Sequence, residues 1–197
     1  MRNNLDPVYC KVQDSGSDNR KNTLFYYQLK NDTKMKTLLE VPDKNFLAYL
    51  RKNYPEIIKD DSIITNSIEI RNITKLNIPN LNIADLTGIE AFTALTNLYC
   101  CNNQLTSLDV AANTALTYLY CFNNQLTSLD ISANTALTHL YCFNNQLTSL
   151  DVAANTALTY LYCFNNQSNT YLTHLYCDNN QLTNLDISAN TAFISLA

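Results

Sequence analysis

The sequence predicts an elongated α/β solenoid. Its stacked coils share a parallel β-sheet on a concave face, opposite an irregular or short-helical convex arc, with a small helical cap in front. Three observations predict this. The first is a near-verbatim repeat of 21 residues: Leu105–Gln125 reads LTSLDVAANTALTYLYCFNNQ, Leu126–Gln146 reads LTSLDISANTALTHLYCFNNQ, and Leu147–Gln167 returns the first. Self-similarity at such a period marks an array in which each unit borrows its core from its neighbours. The second is the in–out–in alternation at Leu119-Tyr120-Cys121, the period of a strand. One strand per coil has no partner in its own coil, so it pairs with the equivalent strand of the next coil. The third is composition: only 2 Gly and 4 Pro stand among 197 residues. Asn is abundant, and Asn takes the left-handed turn positions that Gly often fills.

Written from Leu116, one unit reads LTYLYCFNNQLTSLDISANTA, with apolar positions Leu116, Leu119, Cys121, Leu126, Leu129 and Ile131. Its LxxLxCxxNxL core resembles the leucine-rich-repeat signature LxxLxLxxNxL, with Cys in the third apolar slot. The pattern recurs from Leu95, Leu137 and Leu158, and a weaker copy starts at Leu172. The LxCxxNxLxxLDxxxN variant resembles the cysteine-ladder repeats of secreted bacterial internalins and related surface proteins, from Ile73 to the C-terminus. That resemblance implies a leucine-rich-repeat solenoid acting as a non-enzymatic binding or adhesion module, secreted or at the cell surface. Asn103, Asn124, Asn145, Asn166 and Asn180 fall where such repeats turn an Asn inward to bond the backbone of adjacent coils. Asp109, Asp130, Asp151 and Asp186 stand one per coil on the opposite arc, bonding nearby backbone or facing water.

Cys100, Cys121, Cys142, Cys163 and Cys177 share one slot. As reduced thiols they fill the core as small hydrophobes. Disulfides between neighbours would need unfavourable side-chain geometry. Zinc takes four convergent ligands, whereas these form a line, so no metal is expected. Cys101 sits where later coils have Phe122, Phe143 and Phe164, which suggests an exposed thiol.

Residues 1–40 have no assignable structure from sequence. Residues 41–72 form the cap: Asp43 is the expected N-cap of a helix whose Phe46, Leu47 and Leu50 share a face. The stretch from Val41 resembles the helical cap before leucine-rich repeats in secreted bacterial proteins. Its turn at Lys59-Asp60-Asp61-Ser62 lacks the Gly and alternating oxygens of a calcium loop. Residues 73–197 are the repeats. Ile73, Leu76, Ile78, Ile83, Leu86, Ile89 and Phe92 make a diverged first coil with Leu81 in the Asn slot. Between Gln167 and Gln181 the spacing falls to 14 residues, a shortened coil over 168–181 that starts its strand at His174. The sequence ends part-way through a repeat, at Phe193–Ala197. An open last coil would invite self-association, and an inert spacer or fragment of a larger surface protein is the alternative role.

The outward strand positions are aromatic. One column is Tyr99, Tyr120, Tyr141, Tyr162 and Tyr176; a second is Asn97, Tyr118, His139, Tyr160 and His174; a third is Cys101, Phe122, Phe143, Phe164 and Asp178. Thr117, Thr138 and Thr159 edge them. Such columns can stack as a ladder that stabilises the sheet, and they also form a strip of the kind that binds. A protein is the expected ligand and a glycan the alternative. Replacing Tyr120, Tyr141 and Phe143 by Ser is expected to abolish binding and leave the fold intact. A net charge of −4 argues against a nucleic-acid surface. No stretch has the length or apolarity of a membrane span. No apolar signal-peptide core is visible at the N-terminus. No convergent Ser/His/Asp or Cys/His set, phosphate loop or metal motif points to an enzyme, and no cofactor is implied.

Overall fold

The computed structural model describes residues 36–164 and 166 throughout, and beyond them the strand segments 10–11, 25–27, 174–176, 184–186 and 195–196. The cap is more than a helix. Strands β1 (Cys10–Lys11), β2 (Phe25–Tyr27), β3 (Lys36–Glu40), β4 (Ile58–Lys59) and β5 (Ser62–Ile64) form an antiparallel sheet in the order β1-β2-β3-β5-β4. Part of the unassigned N-terminal segment therefore joins the cap. The apolar run before Val41 supplies the bond between them, since Leu38 pairs with Ile64 and Leu39 with Ile63.

Helix α1 (Lys44–Asn53) follows the expected logic. Asp43 Oδ1 accepts from the N–H groups of Asn45 and Phe46 at 2.9 Å, while Phe46, Leu47 and Leu50 are buried. Arg51 and Lys52 face the negative end of the helix dipole. The same Asp43 ties the cap to the first coil, because its Oδ2 accepts from Ala84 N at 2.8 Å and Asp85 N at 3.3 Å. Gly88 marks the tightest approach between the two: φ is +109°, and a Cβ there would lie 3.1 Å from both Ile63 and Val41 side chains. In the turn between β4 and β5, Asp60 takes φ 51° and the Asp61 carboxylate is held by Arg51.

The solenoid places β6 (Lys75–Asn77), β7 (Asn97–Tyr99), β8 (Tyr118–Tyr120), β9 (His139–Tyr141) and β11 (Tyr160–Tyr162) side by side in one parallel sheet. The central leucines pair in register, Leu76–Leu98–Leu119–Leu140–Leu161, and all are fully buried. One continuous core runs from Val41 in the cap to Cys163. The opposite arc carries a single-turn 3-10 helix at Ile89–Ala91 and is otherwise extended or turn, until β10 (Ser149–Asp151).

The chain departs from expectation after Gln167. Strand β12 (His174–Tyr176) pairs not with β11 but with β10 on the opposite arc, and β14 (Ser195–Leu196) continues that second sheet. The sixth strand beside β11 is β13 (Asn184–Asp186). His174 and Tyr176 therefore do not extend the aromatic columns. Leu161 and Leu175 are 14 residues apart, against 10 from Leu140 to Leu150. That is enough to cross to the far arc, and too short for a complete coil. Cys177, Asp178 and Asn180 lie outside the described residues.

Candidate binding face

Adjacent parallel strands lie ~4.8 Å apart, and in-register pairing stacks like on like. Three aromatic columns result. Tyr99, Tyr120, Tyr141 and Tyr162 have ring centroids 4.9, 4.3 and 4.6 Å apart; the first pair is edge-to-face at 82°, and the last is stacked at 14°. Tyr118, His139 and Tyr160 stack at 4.4 Å with interplanar angles of 27° and 25°. Phe122, Phe143 and Phe164 stack at 4.5 and 4.6 Å, within 8° of parallel. Most of these rings are half-buried, and Tyr160 is 37% exposed. In the stacked pairs the π-faces are turned to one another, so there the strip presents ring edges to solvent. Lys75 Nζ sits 5.0 Å over Tyr99 and closes the first column with a cation–π contact.

Thr138 anchors the His139 ring. Thr138 Oγ1 donates to Thr117 O at 3.0 Å, and also lies 2.9 Å from His139 Nδ1. With the hydroxyl proton turned to Thr117 O, Nδ1 donates to Thr138 Oγ1; turned to Nδ1, it leaves the ring proton on Nε2. Partial burial holds the imidazole pKa below its ordinary 6.5, keeping the ring neutral. Burial, then the neighbouring Tyr141 phenol, pushes Tyr120 up to about 12. At neutral pH His139 and Tyr120 are therefore neutral, and the Lys75 ammonium lies at the first edge of the strip. The threonine edge is committed to structure: Thr96, Thr117, Thr138 and Thr159 each bond a carbonyl of the preceding coil at 3.0–3.1 Å.

Beneath the face, Cys100, Cys121, Cys142 and Cys163 are reduced thiols with no solvent exposure. Burial raises Cys100 and Cys142, and pushes Cys121 up to about 12. Cys101 is buried too, at 9% exposure, contrary to the exposed thiol expected. Its side chain is short, and its neighbour one coil on carries the Phe122 ring. The inward Asn positions are as expected where they are described. Asn145 Oδ1 accepts from Leu126 N at 3.0 Å, and its Nδ2 donates to Cys121 O at 3.1 Å and Cys142 O at 3.0 Å. Asn103, Asn124 and Asn166 repeat that pattern.

The Leucine Rich repeats (2 copies) family matches residues 93–134, 114–155 and 135–171. Internalin J of Listeria monocytogenes serotype 4b (strain F2365) is 41% identical over 72 residues, 36% of this chain and 8% of internalin J. The solved functional domain of InlJ from Listeria monocytogenes includes a cysteine ladder. It aligns at a TM-score of 0.68 and 41% identity, covering 79% of this chain and 33% of that one. The chain is a leucine-rich-repeat solenoid of the internalin-like, cysteine-ladder type. An internalin structure from the same strain (InlF) aligns at a TM-score of 0.52 and 20% identity, over 73% of this chain and 58% of that one, which shows the fold alone. This leucine-rich-repeat chain thus spans a small part of internalin J and a third of the solved InlJ domain.

One set of residues escaped the sequence reading. Asn113, Asn134 and Asn155 are fully buried on the opposite arc of these repeats, and each Nδ2 donates to two carbonyls of the preceding coil at 2.9–3.0 Å. The signal was present as the last Asn of LDxxxN, recurring every 21 residues. Among the described residues, no group of three or more His, Cys, Asp or Glu converges on a point that could hold a metal.

Proposed function

We propose that this leucine-rich-repeat solenoid is a non-enzymatic adhesion-type binding module whose aromatic sheet face takes a protein ligand. The observation that carries the proposal is the triple aromatic strip, half-exposed across four adjacent strands. Internalin-like leucine-rich-repeat folds generally serve protein–protein interaction, and Tyr-rich surfaces suit protein hot spots. Stacking also weighs against the glycan alternative. A sugar packs on an aromatic face, and in the Tyr118–His139–Tyr160 and Phe122–Phe143–Phe164 columns the facing rings cover one another at 4.4–4.6 Å. Ring edges, phenols and the His139 imidazole suit a polypeptide that brings its own donors and acceptors. A secreted or surface setting belongs to the same proposal.

The test uses Tyr118, Tyr141 and Tyr162 changed together to Phe, which removes three hydroxyls and keeps every ring contact. Purified cell-surface proteins and a glycan array are screened against the parent and variant chains by surface plasmon resonance. A protein ligand whose affinity falls at least tenfold in the variant is the expected result. A ligand bound equally by both chains would place binding elsewhere. Binding to glycans alone would replace the protein reading.

A further inference from the structure

The two halves of each coil are built alike. Leu116-Thr117-Tyr118-Leu119-Tyr120-Cys121 faces the sheet, and Leu126-Thr127-Ser128-Leu129-Asp130-Ile131 faces the opposite arc. Both read Leu-Thr-x-Leu-x followed by a buried apolar residue. In both, the first, fourth and sixth positions are buried and the others are not. Five residues after the central Leu, each half places a buried Asn: Asn124 in the first and Asn134 in the second. The two amides share one equivalent partner. Asn124 donates to Cys100 O at 3.1 Å and Asn134 to Val110 O at 3.0 Å, in both cases the carbonyl 24 residues back. They differ in the rest: Asn124 Oδ1 accepts from Leu105 N at 3.1 Å, whereas the second donation of Asn134 goes to Asn113 O at 2.9 Å. The pairing of β10 with β12 shows that the second half also forms parallel strands.

We infer that the half-coils are interchangeable structural modules, and that the chain exchanges them after Gln167 to end the aromatic strip at Tyr160–Phe164. Eleven residues of the usual arc are replaced by the four residues Ser168–Tyr171. The aromatic half His174–Tyr176 then lands on the far arc, opposite Ser149–Asp151, and the polar half Asn184–Asp186 lands beside Tyr160–Tyr162. The period of 21 resumes at once in the new phase, because Leu175 pairs with Leu196. Interchangeability explains how this happens without leaving the solenoid: either half satisfies the same core slots. On the binding reading proposed above, the ligand meets aromatic rungs only from β7 to β11, and β13 is the next strand.

The test does not depend on any ligand. Spin labels are placed pairwise through Tyr162→Cys with Asp186→Cys, Tyr162→Cys with Tyr176→Cys, and Asp151→Cys with Tyr176→Cys. The background carries Cys10→Ser, Cys101→Ala and Cys177→Ser. Neighbouring strands lie ~4.8 Å apart and opposite arcs ~10 Å or more. The 162/186 and 151/176 pairs should show spin-exchange broadening, and the 162/176 pair should not. Replacing Ser168–Tyr171 by LTSLDVAANTA restores the 21-residue spacing and should move the broadening from the 162/186 pair to the 162/176 pair. Broadening at 162/176 in the parent chain, or none at 162/186, would overturn the exchange. Failure of the broadening to move in the restored chain would overturn the interchangeability. Neither result touches the reading of the aromatic strip as a binding face.

Discussion

Replacing Tyr120, Tyr141 and Phe143 together by Ser removes five ring contacts, with centroids between 4.3 and 4.9 Å. Each aromatic pair is worth ~0.5–1.5 kcal/mol beyond its buried area, so the loss is ~3–7 kcal/mol. A domain's whole stability is ~5–15 kcal/mol. The triple Ser chain is therefore expected to unfold partly or wholly, against the sequence-based expectation that it keeps its fold. The reason is geometric: in-register stacking makes each ring a structural neighbour of two others. Urea unfolding followed by far-ultraviolet circular dichroism measures the effect. A stability change below ~1 kcal/mol would refute the stacking argument, since it would mean that the columns carry no cohesive energy. The Tyr-to-Phe triple, which keeps all rings, should stay within ~1 kcal/mol of the parent in the same assay.

Changing Asn145 to Leu leaves the Leu126 N–H and the Cys121 and Cys142 carbonyls buried without that partner. At ~1–3 kcal/mol for each of the three orphaned groups, a loss of at least ~3 kcal/mol is expected, read from the urea midpoint. The ladder thiols make stability fall at high pH: Cys121 stays neutral in the fold up to about 12, whereas an exposed thiol ionises near 9.0. Its contribution is fully present below pH 9 and is lost as pH rises towards 12, because the unfolded chain there holds fewer protons. A flat stability profile across that window would contradict it.

The solenoid was legible because its signals are local and repeated. The central leucines, the ladder cysteines and the inward Asn each occupy one slot per coil, and that slot alone dictates burial. Asp43 was equally legible as an N-cap, though its second carboxylate oxygen, bound to Ala84 and Asp85, is a tertiary contact no pattern announces. The strands at Phe25–Tyr27 and Lys36–Glu40 were not legible, because their pairing is antiparallel and their partners lie in distant short segments. The site was misread at one end. His174-Leu175-Tyr176-Cys177 copies the aromatic half of a coil residue for residue, and similarity reports which module was copied. It does not report where the chain places it, because that depends on the length of the connection. Cys101 was misread for a related reason: its slot was equated with Phe, although a short side chain in the same slot sinks beneath its neighbours.

The scarcity of glycine has its own energetic logic. Asn102, Asn123 and Asn144 take φ between 52° and 55°, the left-handed turn that follows β7, β8 and β9. Glycine would sit there without strain, yet the Asn side chains bond along the array. Asn123 Nδ2 donates to Asn102 Oδ1 at 2.5 Å, and Asn144 Nδ2 donates to Asn123 Oδ1 at 2.6 Å. The two roles separate in a pair of substitutions. Asn123→Gly keeps the turn, loses two amide bonds at ~1 kcal/mol each, and gains unfolded-state freedom worth ~0.5–1 kcal/mol. Asn123→Ala loses the same bonds and adds left-handed strain of ~1–2 kcal/mol. Both should destabilise the chain in urea, with Ala the worse by ~0.5–1 kcal/mol. If Gly proved neutral, the amide ladder would contribute nothing and the turn alone would explain the Asn. If Ala proved no worse than Gly, the left-handed turn would impose no strain, and the ladder would be the whole reason that this array uses Asn where others use Gly.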